Sequence, residues 1–184
     1  MQPSSNDLNT SRASPSTRSR CAFPRGGGAL LLFVPPLTRS TWRNVVSLIQ
    51  LAEDLGFRFY GSLTWDHGIM GMGYDAGRNR KNDLLLFSAG ERNGVLWDLG
   101  LPNVLTHKRL ARRKGEHEAE KPVELFWDLA RALTRAGDVV ADFFVGRGRW
   151  IQRLLDEGRH VIAVDRNPDW VRAIAGDLAQ RRLP

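Results

Sequence analysis

Apolar residues fall into short, nearly continuous runs along the chain, and stretches of three- or four-residue periodicity lie between them. Ala29-Leu-Leu-Leu-Phe-Val34 is such a run, stopped by Pro35-Pro36. A continuous run of this length reads as a strand buried on both faces. From Thr38 to Leu55 the apolar positions Trp42, Val45, Val46, Ile49 and Leu55 recur at helical spacing, with Gly56 as the stop. Phe57–Trp65 predicts a second strand and Asp83–Ser88, with Leu84-Leu-Leu-Phe87, a third. Residues 89–120 show no period and read as loop. Pro122–Arg135 predicts a helix with proline in its first turn, a favoured place. Val139–Phe144 is a fourth strand, Gly146–Asp156 a helix, His160–Asp165 a fifth strand and Pro168–Arg182 the last helix. Strands alternating with helices predict an α/β domain over 29–184 with a mostly parallel sheet.

Residues 1–28 differ in kind. They hold six Ser, three Pro, four Arg and a Gly triplet, with almost no apolar periodicity. Such a segment cannot bury enough surface to offset its ordering entropy and is expected to be a disordered tail. No apolar run is long enough to cross a bilayer, so no membrane partner is expected. The single cysteine, Cys21, excludes an internal disulfide and a cysteine-rich zinc site and fits a cytoplasmic location. A net charge of +7 suits an anionic partner, nucleic acid first among them, and equally suits plain solubility.

The segment with most chemistry is Asp142-Phe-Phe-Val-Gly-Arg-Gly148. It follows an apolar strand and precedes a helix. Glycines there allow a tight turn and the close approach of a ligand, and the helix start beyond offers N–H groups to an anion. The next strand ends at Asp165, where a carboxylate can accept from both hydroxyls of a ribose. Strand, Gly-x-Gly, helix, strand and acid together point to a nucleoside-containing cofactor. An ordinary strand-to-helix turn with Asp165 as a helix cap has the same pattern.

Three motifs in order carry a family resemblance. His117 with Lys121-Pro122, then Asp142, Phe144, Gly146 and Gly148, then Asp165 and Pro168 resemble the C-terminal half of the permuted (beta-type) DNA N6-adenine or N4-cytosine methyltransferases. The segment 27–90 resembles the part of that family after its catalytic motif more loosely. The resemblance implies a Rossmann-like fold that binds S-adenosylmethionine, and methyl transfer to an exocyclic amine of DNA without a covalent intermediate or metal. It places Asp142, Phe144, Gly146 and Gly148 at the methionine end of the cofactor, Lys121 near its carboxylate and Asp165 at the ribose. It also places target recognition near Thr106–Lys114, where Lys108, Arg109, Arg112, Arg113 and Lys114 can neutralise phosphates. Arg78-Asn-Arg-Lys81 is a second basic cluster.

The family's catalytic tetrapeptide is Asp, Asn or Ser, then Pro-Pro, then an aromatic. Here the only Pro-Pro is Val34-Pro-Pro-Leu37, with neither an acceptor nor a ring. The strand bearing that motif stands mid-sheet in the family, between the strands at 139–144 and 29–34. Its absence implies two unpaired strand edges, so the catalytic residues stay unassigned. Another chain supplying the strand, a closed-up sheet, or a truncated or mis-started product each answer to this. Phe143, Arg147, Arg149, Trp150 and Arg166 also depart from the family pattern. Two other functions share part of the pattern: an inactive remnant that binds only cofactor or DNA, and an NAD-type oxidoreductase, which leaves the His117-Lys121-Pro122 motif unexplained.

Overall fold

The computed structural model describes residues 27–71, 78–90, 100–110 and 120–181. The tail lies outside that set apart from Gly27 and Gly28, and Gly28 already opens the first strand.

Ten elements follow in order: β1 (Gly28–Val34), α1 (Trp42–Asp54), β2 (Arg58–Asp66), β3 (Lys81–Ala89), β4 (Val104–Thr106), α2 (Val123–Leu133), β5 (Val139–Asp142), α3 (Ile151–Asp156), β6 (His160–Ala163) and α4 (Pro168–Arg181). They form two sheets. One has the strand order β1-β3-β2-β4 and the other pairs β5 with β6.

The pairing is mixed rather than mostly parallel. β3 runs against both β1 and β2, while β2 with β4 and β5 with β6 are parallel. The apolar runs of β1 and β3 do not encode direction. Seven consecutive residues of β3 are buried, Asp83–Ala89, because it is flanked on both edges and covered on both faces. A run of that kind is the usual mark of a parallel strand, and here it belongs to an antiparallel one.

Helix α2 joins the two sheets. Leu125 and Leu129 pack with Leu63, Trp65, Leu84 and Leu105 of the larger sheet. One residue further round, Phe126, Trp127 and Ala130 pack with Val140, Val161 and the α3 residues Ile151 and Leu154. The spacing 125, 129 and 126, 130 sets these two stripes side by side on one helix. α1 covers the larger sheet through Val45 and Ala52 against Val34, Leu85 and Phe87.

Several boundaries move for local reasons. α1 starts at Trp42 because Thr38–Thr41 form a hydrogen-bonded turn, with Thr41 Oγ1 donating to Pro36 O at 2.6 Å. α2 ends at Leu133, where Thr134 turns extended. β5 ends at Asp142, whose carboxylate accepts from the Phe144 N–H at 2.8 Å and folds the chain out of the strand. α3 has only six residues and begins at Ile151 rather than Gly146. β4 falls in the stretch read as loop. It is three residues long, too short to show a period, and exists through its pairing with β2. Among the described residues no helix is long and apolar enough to cross a membrane.

Candidate functional site

The glycine turn and Asp165 meet. Val145 N–H donates to Val164 O at 3.1 Å, which brings the turn after β5 to the end of β6. Gly146 N–H then donates to Asp165 Oδ2 at 2.8 Å, and Asn167 N–H donates to Asp165 Oδ1 at 2.9 Å. The carboxylate is therefore held by two backbone amides, one from the glycine turn and one from the chain just past β6. Both carboxylate oxygens thus face backbone amides, which sets the orientation of the group.

The two glycines serve different ends. Both have positive φ, 55° at Gly146 and 58° at Gly148, where a side chain is strained. A Cβ at Gly146 would meet nothing within 4 Å, so the space above it is open to a ligand. A Cβ at Gly148 would lie 2.6 Å from Ile151 Cδ1 and 2.8 Å from Ile174 Cδ1. At Gly148 a side chain would therefore also displace the ends of Ile151 and Ile174, adding packing to the backbone constraint. Some of the N–H groups ahead of α3 are already bonded within the chain. Gly148 N–H donates to Val145 O, Ile151 N–H to Gly148 O and Leu154 N–H to Trp150 O. The amides of Gly146, Gly148 and Ile151 are thus committed to Asp165 or to the turn's own carbonyls.

Lys121 lies beside this turn. Its ammonium is 4.5 Å from the Phe33 ring centroid. Burial pushes its pKa down from the ordinary lysine value, and the Asp142 carboxylate opposes that shift. A half-desolvated cation facing the turn suits a carboxylate ligand. The preceding residue, Glu120, is paired with Arg149, Nε to Oε1 at 2.6 Å, in an orientation that leaves Oε1 without a hydrogen bond. Trp150 stacks on Phe126 with centroids 5.1 Å apart and planes at 18°. Arg149 and Trp150, the departures from the family pattern, therefore fasten the turn to the approach of α2. Arg147 lies over the Trp170 ring at 5.7 Å. Nothing in residue spacing signalled these contacts, since each joins segments more than twenty residues apart. Phe144 is 91% exposed and Phe143 63% exposed, so neither is core.

The basic segment is described in part. Thr64 N–H to Asn103 O, His107 N–H to Asp66 O and Arg109 N–H to His67 O continue the β2–β4 pairing past Thr106. This lays Lys108 and Arg109 along the end of β2. His107 is held from both ends: Trp65 Nε1 donates to its carbonyl at 2.7 Å, and its Nε2 is 3.0 Å from Asp128 Oδ2 on α2. His67 is buried, and burial, then Arg109, lowers its pKa. Arg112, Arg113, Lys114 and His117 lie outside the described residues. The second basic cluster is largely neutralised. Arg80 grips Asp66 with Nε and Nη2, at 3.0 and 2.5 Å, and Lys81 reaches Asp83 at 2.9 Å. Asp66, Arg80 and Lys81 line a hollow of about 380 Å³ with Thr64, Arg78, Asn79 and Val104. It shares no residue with the glycine turn, and Arg80 and Lys81 are paired within it.

A glycine turn joined to an acid at the tip of the next strand places the chain among α/β proteins whose candidate site lies at the strand ends. The DNA methylase family model (N6_N4_Mtase) matches residues 63–176, and the chain belongs to that family. M.BglI, a type II methyltransferase of Bacillus subtilis, is 34% identical over 61 residues, which are 33% of this chain and 18% of that protein. Ribosomal RNA small subunit methyltransferase A of Anaeromyxobacter sp. (strain K) is 46% identical over 55 residues, 29% of this chain and 19% of that protein. The chain thus spans under one fifth of these relatives' lengths. Among solved structures, the cytosine-N4-specific PvuII DNA methyltransferase superposes with a TM-score of 0.66 at 18% identity, covering 85% of this chain and 66% of that one. The M1.HpyAVI–SAM complex gives 0.63 at 15% identity, covering 82% and 74%. These likenesses establish the Rossmann-like methyltransferase fold.

Proposed function

We propose that the chain binds S-adenosylmethionine at the turn 143–148 and serves methyl transfer to an exocyclic amine of adenine or cytosine in DNA. The observation that carries this is the Gly146–Asp165 hydrogen bond, which brings the glycine turn and the carboxylate into direct contact. The residues present fit the cofactor. Asp165 is a carboxylate at the end of the strand after the glycine turn, the chemistry that ribose hydroxyls require of an acceptor. Gly146 offers open space where backbone must approach the ligand closely. Lys121 supplies a cation for the ligand's carboxylate, and Asp142 supplies an acceptor for its amine. Phe143 and Phe144 offer apolar surface to its methionine end.

When bound, the cofactor supplies an activated methyl group. This chain's own residues orient it: Asp165 fixes the nucleoside end, and Lys121, held through the Glu120–Arg149 pair, fixes the other. Around the site, Asp142 and Asp165 each accept from backbone amides. Val34 and Leu37, which flank the only Pro-Pro, offer no side-chain acceptor for a target amine. The acceptor must therefore come from elsewhere, and the chain by itself is expected to incorporate little label from tritiated cofactor into DNA. DNA is the partner that the basic segment suits, and a cytoplasmic location accompanies that role.

Calorimetric titration decides the cofactor. We expect binding of S-adenosylmethionine and of its demethylated product, no binding of NAD, and at least about tenfold weaker binding after Asp165→Asn, the loss of one charge-assisted acceptor. Binding of NAD alone overturns the reading. The relative named for ribosomal RNA shares only a 55-residue stretch, whereas the DNA methylase match spans residues 63–176, which favours DNA.

A further inference from the structure

We propose that Asp128 and His107 are positioning residues for DNA contact: Asp128 on α2 pins His107, and the pinned His107 presents Lys108 and Arg109 to phosphates in one fixed place. This rests on the functional reading above, which puts DNA on the basic segment. The backbone alone holds that place weakly. β4 is three residues long. Past Thr106 the pairing with β2 continues through two bonds, His107 N–H to Asp66 O at 3.2 Å and Arg109 N–H to His67 O at 3.3 Å. Both are at the long end of the ordinary range for such bonds. A short strand extended by long bonds opens easily unless something else holds it.

Side chains supply what the ladder lacks. Trp65 is buried with Leu125 and Leu129, and its indole N–H donates to His107 O at 2.7 Å. A buried indole keeps its N–H paired, which fixes the His107 carbonyl. The ring is held from α2, where Nε2 lies 3.0 Å from Asp128 Oδ2. Opposite a carboxylate that ring nitrogen must carry the hydrogen. Asp128 stands three residues after Leu125 and one before Leu129, at the edge of the α2 stripe that packs on the larger sheet. His107 is thus tied by its N–H, its carbonyl and its ring to three different residues. His67, which takes the Arg109 amide, is itself anchored. It is buried, its ring meets Trp65 edge-on at 5.5 Å, and its Nδ1 accepts from the Ile69 N–H at 3.3 Å.

The charge of Asp128 bears on its purpose. A carboxylate beside a basic segment repels phosphates. The Asp128 side chain is one-third exposed, where an ion pair adds little to stability. Neither the field nor the stability accounts for an acid at this point, whereas geometry does. Lys108 follows the pinned residue directly and is exposed, and Arg109 is half-buried. Ordering these two before DNA arrives removes their share of the entropy that binding would otherwise have to overcome.

Field and geometry predict opposite signs for one substitution. Asp128→Ala removes an anion, so the field alone would tighten binding of the full chain to duplex DNA. Loss of the pin should instead weaken it by about tenfold, with the salt slope unchanged because every cation remains. Asp128→Asn removes the charge and keeps an oxygen for the ring N–H, so it should bind at least as tightly as the parent. His107→Gln keeps a donor for Asp128 and should restore most of what His107→Ala loses. His107→Ala and Asp128→Ala together should cost no more than either alone. Hydrogen exchange on the free chains gives a reading that needs no DNA. The amides of His107 and Arg109 should exchange faster in Asp128→Ala and at the parent's rate in Asp128→Asn. Equal or tighter DNA binding by Asp128→Ala overturns the proposal, as does a loss that Asp128→Asn shares in full, or unchanged exchange at those two amides. A parent that binds no duplex, with exchange as stated, overturns the placing of DNA on this segment and leaves the pin itself standing.

Discussion

Gly146 and Gly148 look alike in the sequence and differ in what constrains them. Both need positive φ, but only Gly148 is walled in by Ile151 and Ile174. Gly148→Ala adds overpacking to backbone strain and is expected to cost about 2 kcal/mol of stability in chemical denaturation. Gly146→Ala adds strain alone, about 1 kcal/mol. The order reverses for ligand: the Gly146 methyl enters the open cleft, so this variant should lose more affinity for S-adenosylhomocysteine than Gly148→Ala. Equal effects in both measurements would mean that the turn is only structural. Lys121 makes the converse case. Its burial disfavours the charge, as the lowered pKa records. Lys121→Met removes that desolvation and keeps the aliphatic contact with Phe33. We expect a melting temperature no lower than the parent's, and binding of the same ligand weaker by about tenfold or more, the scale of a lost charged partner. A fall in stability with unchanged affinity would assign Lys121 to the fold instead.

At the scale of elements, α2 does more than its length suggests. Among the described residues the sheets share no ladder, and this helix packs against both. Leu125 is fully buried on the stripe facing β2 and β3. Leu125→Ala should cost about 3 kcal/mol, within the usual range for a buried leucine. A loss near zero in urea unfolding would show that the larger sheet stands without α2. Strongly periodic or continuously apolar segments such as β1, β3, α2 and α4 could be read from their residues because burial imposes that pattern directly. Strand direction could not, since an apolar run buried on both faces looks the same either way, as β3 demonstrates. β4 was hidden because three residues exist as a strand only by leaning on β2. The helix expected from Gly146 was shortened by the chain's own turn, whose carbonyls capture the amides of Gly148 and Ile151. In the site, the Asp142–Gly148 loop and Asp165 were legible through their spacing along two consecutive strands. Arg149 with Glu120, and Trp150 with Phe126, were not, because ion pairs and ring stacks between distant segments leave no period.

For the molecule as a whole, the net charge of +7 acquires meaning only through its distribution. Around Asp66 and Asp83 the basic residues Arg80 and Lys81 are spent on internal pairs, so that patch offers phosphates little. Lys108 is exposed and Arg109 is half-buried where the chain leaves the pairing with β2. Arg112, Arg113 and Lys114 follow in sequence, so five cations fall within nine residues. If all five neutralise phosphates, the logarithm of the affinity for duplex DNA falls against the logarithm of salt with a slope of about −4.5, from about 0.9 per phosphate. Changing Arg112, Arg113 and Lys114 together to Gln should bring the slope to about −1.8. Phosphate contacts carry no sequence information, so the triple variant should weaken binding to unrelated duplexes equally. Changing Arg80 and Lys81 to Gln is the matched control, because it removes charge whose partners lie within the protein, and it should leave the slope nearly unchanged. A salt slope that follows total charge rather than these five positions would make the +7 a matter of solubility and remove the reason for placing DNA on this face.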